Sequence, residues 1–164
     1  LLHLFNGGTK NIGIDYIKLS VIVVNASSTS SDYLVYVNQD GSSQRDSGGT
    51  AITPQNTRSD NPHATGATVY FGAVVATPTN ARKVAQWSVR PVISVAEDQY
   101  FFSFGDSSRL NAHGVINGTT IASVHCNMPA VTIAPGGEFY FVNIGPSGAA
   151  TAATHEFEFG YWER

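Results

Sequence analysis

Charged side chains are scarce in this chain. Of its 164 residues, 13% are Asp, Glu, Lys or Arg, roughly half of the share usual in soluble domains. The nine Lys and Arg residues are scattered rather than clustered, and the formal net charge is −3. Binding to nucleic acid depends on several phosphate contacts from clustered cations. The sequence therefore argues against a nucleic-acid partner.

Cysteines and long apolar runs are also lacking. Cys126 is the single cysteine, which excludes a disulfide within this chain and a multi-cysteine metal site. No apolar stretch approaches the roughly 20 residues of a membrane-spanning helix, so we expect no membrane partner. Ser, Thr, Asn, Gly and Ala take the place of the missing charges. Such neutral side chains suit a surface that packs against neighbouring subunits, because few charges must lose their hydration.

The residue patterns of known catalytic and metal sites do not occur. The five histidines have none of the spacings that place two imidazoles on one metal. Gly105-Asp106-Ser107 is similar to the start of a hydrolase block, but no downstream Asp-x-x-His follows it. Glu156 and Glu158 lie about 7 Å apart along one strand face, near glycosidase spacing, yet alternating glutamates usually protect an exposed strand. We predict that the chain is not an enzyme and has no catalytic residue, cofactor or metal.

Apolar residues alternate with polar ones along most of the chain, which is the period of a β-strand. Turn sequences such as Asn117-Gly118 and Pro135-Gly136-Gly137 separate the alternating runs. The sequence predicts an all-β domain over residues 1–164, a two-sheet antiparallel sandwich that is jelly-roll-like. A shorter barrel or an immunoglobulin-like sandwich is the alternative. The eight predicted strands are 15–25, 33–37, 68–76, 84–95, 100–104, 119–126, 139–144 and 153–163.

The same alternation predicts which side chains face the core and which face outward. Tyr36, Tyr70 and Trp162 lie opposite the predicted core faces. Half-exposed aromatic side chains often mark an interface, so these three are candidate contacts with a partner. The predicted core comprises Leu19, Val21, Val23, Val69, Phe71, Trp87, Val89, Phe157 and Phe159.

Residues 38–66 show little strand pattern beyond Ala51-Ile52-Thr53. Loops of this length in compact domains are usually functional or disordered. The segment is therefore either a surface excursion or a contact arm that becomes ordered against a partner. Within it, Ile52, Pro54 and Arg58 are three further candidate contacts.

Two stretches resemble a family of virion proteins. Gly48-Gly49-Thr50-Ala51-Ile52-Thr53-Pro54, with the Ser/Asn/Thr-rich passage to Ala64, is similar to a segment of small tailed-phage structural proteins. The ending, from Pro135-Gly136-Gly137 to Trp162-Glu163-Arg164, is similar as well. The family is the jelly-roll decoration or cement proteins of tailed-bacteriophage capsids. The resemblance implies a homotrimer, made in the host cytoplasm, that bridges major capsid protein subunits on the outer virion surface without catalysis.

Two other functions remain open at this point. A carbohydrate-binding β-sandwich module, or a lectin-like fibre tip, would stack sugars on exposed aromatic side chains. A β-sandwich hydrolase would bring distant histidines and carboxylates together. Exposed aromatics in an open groove would favour carbohydrate binding, whereas exposed aromatics in a subunit contact would favour a decoration protein.

Overall fold

The chain folds as two β-sheets that pack face to face. The computed structural model describes residues 2–23, 31–39, 45–57, 60, 64–76, 80–89, 99–105, 123–144 and 154–164. The strands in these ranges are β1 (Leu2–Asn6), β2 (Ile12–Val23), β3 (Ser31–Asn38), β4 (Arg45–Ile52), β5 (Ala67–Ala76), β6 (Arg82–Val89), β7 (Gln99–Phe104), β8 (Ser123–Met128), β9 (Thr132–Ile133), β10 (Glu138–Ile144) and β11 (Thr154–Glu163).

The strand order defines the two sheets. Sheet A has the order β4-β5-β1-β10-β3-β6, and sheet B has the order β11-β2-β7-β8 with β9 beside β2. All described neighbours pair antiparallel except β7 and β8, which are parallel. The predicted all-β, two-sheet sandwich is thereby confirmed.

Aromatic rings from both sheets interdigitate in the core. Phe102 of sheet B is fully buried, and its ring centroid lies 5.0 Å from the rings of Tyr33 and Phe141 in sheet A. Phe104 and Phe139 meet edge to face at 5.8 Å. Since each large ring buries a large apolar surface, these contacts hold the two sheets together.

A bulge in β2 decides which of its side chains face the core. Asp15 is an extra residue between two cross-strand pairs, Ile14 with Tyr161 and Tyr16 with Gly160. An extra residue reverses the alternation beyond it, so even-numbered side chains face the core before the bulge and odd-numbered ones after it. The buried side chains of β2 are accordingly Ile12, Ile14, Ile17 and Leu19.

Three strands lie outside the eight predicted runs. β1 is buried on both of its sides, so its sequence lacks the alternation of a half-buried strand. β4 is exposed over seven of its eight residues and forms through backbone pairing with β5. β9 has two residues, which is too short for any pattern. Within residues 38–66, where the sequence shows little strand pattern beyond Ala51-Ile52-Thr53, residues 45–52 therefore form a strand.

The predicted core residues fall into three groups. Leu19 and Val69 are buried, as predicted. Phe71 is half-buried and stacks on Phe157 at 4.3 Å, while Trp87, Phe157 and Phe159 pack at the margin of the core. The side chains of Val21, Val23 and Val89 lie outside the described part of the chain. The prediction missed core residues from the middle of each sheet, among them Leu2, Leu4, Phe102, Ile133, Phe139 and Phe141.

Candidate binding surfaces

β4 is one of the two edge strands of sheet A. This strand pairs with β5 on one side and with no described strand on the other. Register shifts interrupt the pairing twice, and at the second shift Gly48 and Gly49 have φ values of 72° and 74°. Residues that have a Cβ atom rarely adopt such φ values, so the two glycines permit the bulge. Bulges of this kind twist an edge and limit its pairing with other strands.

Two of the candidate contact residues lie at this edge, and a third lies in the adjacent strand. Ile52 lies opposite Val69 and is 39% exposed, and Pro54 follows it, half-buried. Tyr70 lies in the adjacent strand, where the Arg45 guanidinium stacks 3.8 Å from the centroid of its ring.

The other three candidates are elsewhere. Tyr36 is half-buried in β3, opposite Tyr140. Trp162 belongs to sheet B, and Arg58 lies outside the described residues. The structure therefore places Ile52 and Pro54 together at one edge of sheet A, with Tyr70 in the neighbouring strand and on the opposite face of the sheet.

A buried polar network lies on the face of sheet A opposite the core. Glu138 is fully buried, and its Oε1 accepts a hydrogen bond from His3 Nε2 at 2.9 Å. Its Oε2 accepts hydrogen bonds from Asn38 Nδ2 at 3.1 Å and from the Tyr140 hydroxyl at 2.8 Å. His3 Nδ1 is buried without a partner, so we assign the tautomer with its proton on Nε2, because a buried donor at Nδ1 would lack an acceptor. The network ties β1, β3 and β10 together in one register.

The outer face of sheet B carries a row of rings, one from each of β11, β2, β7 and β8, which we call the aromatic strip: Trp162, Tyr16, Phe101 and His125. Two of its rings lie opposite glycines. Trp162 pairs with Gly13, and Tyr16 pairs with Gly160. A Cβ on Gly13 would lie 2.0 Å from Trp162 Cζ2, and one on Gly160 would lie 2.3 Å from Tyr16 Cε1. Each ring therefore rests directly on the backbone of a glycine, an arrangement that any larger residue would prevent.

The strip continues across the sheet. The rings of Tyr16 and Phe101 are nearly parallel, with centroids 5.5 Å apart and an interplanar angle of 13°. Phe101 and His125 follow at 5.4 Å. At the other end, the Arg164 guanidinium lies 4.2 Å from the Trp162 ring centroid, a contact worth about 0.5–1 kcal/mol at an exposed position. Trp162 remains 38% exposed, so the strip is an accessible surface of this chain.

Polar groups flank the aromatic strip. The Tyr16 hydroxyl donates a hydrogen bond to Glu158 Oε1 at 2.6 Å, and Lys18 Nζ lies 3.9 Å from Glu158 Oε2. The hydrogen bond to Glu158, together with partial burial and the nearby carboxylate charges, raises the pKa of Tyr16 to about 12. The phenol therefore stays protonated, and remains a donor, at physiological pH.

An open hollow of about 240 Å³ adjoins these groups on the same side of β2 and β11. It is lined by Lys18, Ser20, Glu156, Phe157 and Glu158. On the other side of the strip, the Ser103 hydroxyl donates to Asn127 Oδ1 at 3.0 Å. The aromatic strip is therefore bordered on both sides by hydrogen-bonding groups.

Sequence reasoning identified only one member of this surface, Trp162. The sequence could also have identified Tyr16, because Tyr16 alternates with the apolar residues of its strand in the same way as outward-facing Lys18 and Ser20. Phe101 and His125 carried no such signal, since they lie in short aromatic-rich or apolar runs.

Cys126 is buried in β8, and burial raises the pKa of its thiol to about 12. Within the described ranges, no three His, Cys, Asp or Glu side chains converge as a metal site would require. The described residues also include no helix that is long and apolar enough to cross a membrane. Comparisons of the chain with protein-family models, with curated proteins and with solved structures found no match.

Proposed function

We propose that the chain is a non-enzymatic virion protein that decorates or cements the outer surface of a phage capsid. The observation that carries the proposal is the exposed edge strand β4, whose last residue, Ile52, is 39% exposed and is followed closely by Pro54. This strand contains residues 48–52, the beginning of one stretch that resembles tailed-phage structural proteins. A jelly-roll strand order, which the resemblance also implies, belongs to the same proposal.

An edge strand supports docking because one row of its backbone groups faces away from its own sheet. Proteins commonly protect such edges with charged side chains. In β4 the charges are confined to the first two residues, Arg45 and Asp46, and the remainder is Ser-Gly-Gly-Thr-Ala-Ile. The second half of the strand therefore offers a neutral surface that loses little hydration free energy on contact. The partner that we propose for it is the major capsid protein.

Assembly as a homotrimer is part of the same proposal. A trimer placed on a local threefold position of an icosahedral shell presents three copies of the docking edge with matching symmetry. Three linked weak contacts raise the avidity by a factor on the order of 10² to 10⁴ where the geometry permits. Each copy of the edge then needs only modest affinity for the capsid.

The test is recapture of the purified chain by phage heads from which it has been stripped. Ile52→Asp places a charge at the docking edge, and we expect at least a tenfold loss of recapture, since a buried unpaired charge is strongly unfavourable at an interface. Ile22→Asp is the matched control, because Ile22 is 53% exposed in sheet B. It should be recaptured like the original protein.

Light scattering provides the second measurement. We expect a mass near three times the 17.5 kDa of one chain, unchanged in high salt because neutral contacts are little screened. A monomer that stripped heads do not retain would contradict the proposal. Equal recapture of the Ile52→Asp and Ile22→Asp variants would show that β4 is not the docking edge.

A further inference from the structure

We infer that the aromatic strip on the outer face of sheet B is a binding site for a neutral oligosaccharide. The site is independent of the capsid proposal, because β4 belongs to sheet A and the strip to sheet B. A virion surface protein with such a site would bind glycans without catalysis.

The glycines beneath the rings determine what the strip presents. Trp162 and Tyr16 each lie against a glycine, so no side chain separates either ring from the backbone of the sheet. The face of an aromatic ring carries partial negative charge, and it attracts the polarised C–H groups on the flat side of a pyranose. Arg164 already stacks on Trp162 at 4.2 Å. This contact demonstrates that the Trp162 ring accepts a stacking group, and a sugar can displace an exposed side chain from it.

The arrangement of the rings suits a chain of sugars rather than a single one. The strip takes one ring from each of β11, β2, β7 and β8, and adjacent centroids among Tyr16, Phe101 and His125 lie 5.5 and 5.4 Å apart. An extended oligosaccharide laid across the strands therefore meets several rings in succession. Each added sugar gains a further contact without a change in the protein.

The polar border supplies hydrogen bonds for hydroxyl groups. Glu158 is held by Tyr16 and Lys18, and its carboxylate retains lone pairs that can accept from sugar hydroxyls. Ser103 and Asn127 provide donors and acceptors on the other side of the strip.

The local charge restricts the class of glycan. Glu156 and Glu158 line the hollow with a single cation, Lys18, so an acidic sugar would meet net negative charge at this border of the strip, while Arg164 lies at the Trp162 end. The same charged groups disfavour a protein partner, because the centre of a protein interface is depleted of charges that must be desolvated. A neutral oligosaccharide meets neither penalty, since its hydroxyls can bind the carboxylates directly.

The experiment is calorimetric titration of the intact chain with neutral hexaoses of glucose, mannose, galactose, xylose and N-acetylglucosamine, and with hexagalacturonate as the acidic comparison. We expect at least one neutral hexaose to bind and hexagalacturonate to bind at least tenfold more weakly. Phe101→Ala should weaken the neutral ligand about tenfold or more, as the loss of an aromatic hot spot commonly does. Tyr70→Ala is the matched control, because Tyr70 is a half-buried aromatic on sheet A. It should leave the affinity unchanged.

A second variant separates binding from folding. Trp162→Phe keeps a ring over Gly13 but removes the indole, so binding measured by calorimetry should persist while the ligand-induced change in indole fluorescence is lost. Trp87 remains as the internal fluorescence reference.

Three results would overturn the inference. The first is no heat of binding from any neutral hexaose at millimolar concentration, and the second is an affinity that Phe101→Ala leaves unchanged. The third is concentration-dependent self-association that Phe101→Ala abolishes without any sugar binding, which would make the strip a protein interface. The Ile52→Asp variant should retain sugar binding, and Phe101→Ala should retain recapture by heads, so failure of one proposal is distinguishable from failure of the other.

Discussion

Phe101 and Phe102 are adjacent in β7, identical in chemistry and opposite in environment. Phe102 is fully buried between the sheets, whereas Phe101 is half-buried in the aromatic strip on the outside. Replacing each by alanine in turn therefore tests the register of sheet B with a matched pair. We expect Phe102→Ala to lower the free energy of unfolding far more than Phe101→Ala.

The magnitudes follow from the contacts of each ring. Truncation of a buried phenylalanine costs about 3–5 kcal/mol. Phe102 should fall near the upper end, because it also loses two ring pairs at 5.0 Å, with Tyr33 and Phe141, each worth about 0.5–1.5 kcal/mol. Phe101 should cost about 1–2 kcal/mol, since part of its ring is already in water and the space it leaves opens to solvent.

Equilibrium urea denaturation at a fixed chain concentration measures both losses, and the fixed concentration matters because assembly contributes to stability. A difference of about 2 kcal/mol or more corresponds to urea midpoints roughly 1 M apart for a domain of this size. Equal or reversed losses would refute the reasoning. They would mean that β7 is displaced by one residue, which turns every side chain of a strand to the opposite face.

Three further measurements test the interior and the strip. Cys126 should not react with a thiol reagent at pH 8 until the protein unfolds, because burial raises its pKa to about 12; rapid reaction of the folded protein would contradict its burial. The folded-state pKa of Tyr16 is raised from 10.0 to about 12, so its contribution to stability is complete below pH 10 and is lost as the pH rises toward 12. Between pH 10 and pH 12 the free energy of unfolding of the original protein should therefore fall by more than that of Tyr16→Phe. Chemical denaturation of both proteins at each pH measures the two losses, and equal losses would refute the hydrogen bond to Glu158. Glu138→Gln should cost about 1–3 kcal/mol in chemical denaturation, because one buried acceptor oxygen becomes an amide donor that faces other donors, whereas Glu156→Gln on the exposed face should change stability by no more than about 0.5 kcal/mol.

Alternation in the sequence determined the sandwich and the orientation of its half-buried strands. In β11, Phe157, Phe159 and Tyr161 pack toward the core, while Glu156 and Glu158 are exposed, as the pattern predicts. This success has a local cause, because successive side chains of a strand point to opposite faces whatever the strand pairs with. The orientation of a strand that has one face in water can therefore be predicted from the residues of that strand alone.

The centre of sheet A could not be predicted in this way. β1 is buried on both sides, and the pairing of His3 with Glu138 joins residues that are 135 positions apart. Nothing near either residue in the sequence specifies the other. The partners meet only because β1 and β10 become neighbours in the sheet.

The aromatic strip could be predicted from the sequence only in part. The outward orientation of Trp162 followed from alternation alone. If the alternation that starts at Ile17 extended without interruption to residue 13, Gly13 would lie on the core face. The bulge at Asp15 instead turns Gly13 outward, opposite Trp162. The sequence by itself determined which strands are amphipathic, because that is a property of neighbouring residues. The tertiary structure decided which glycine lies beneath which ring, because strand register depends on pairing between distant segments.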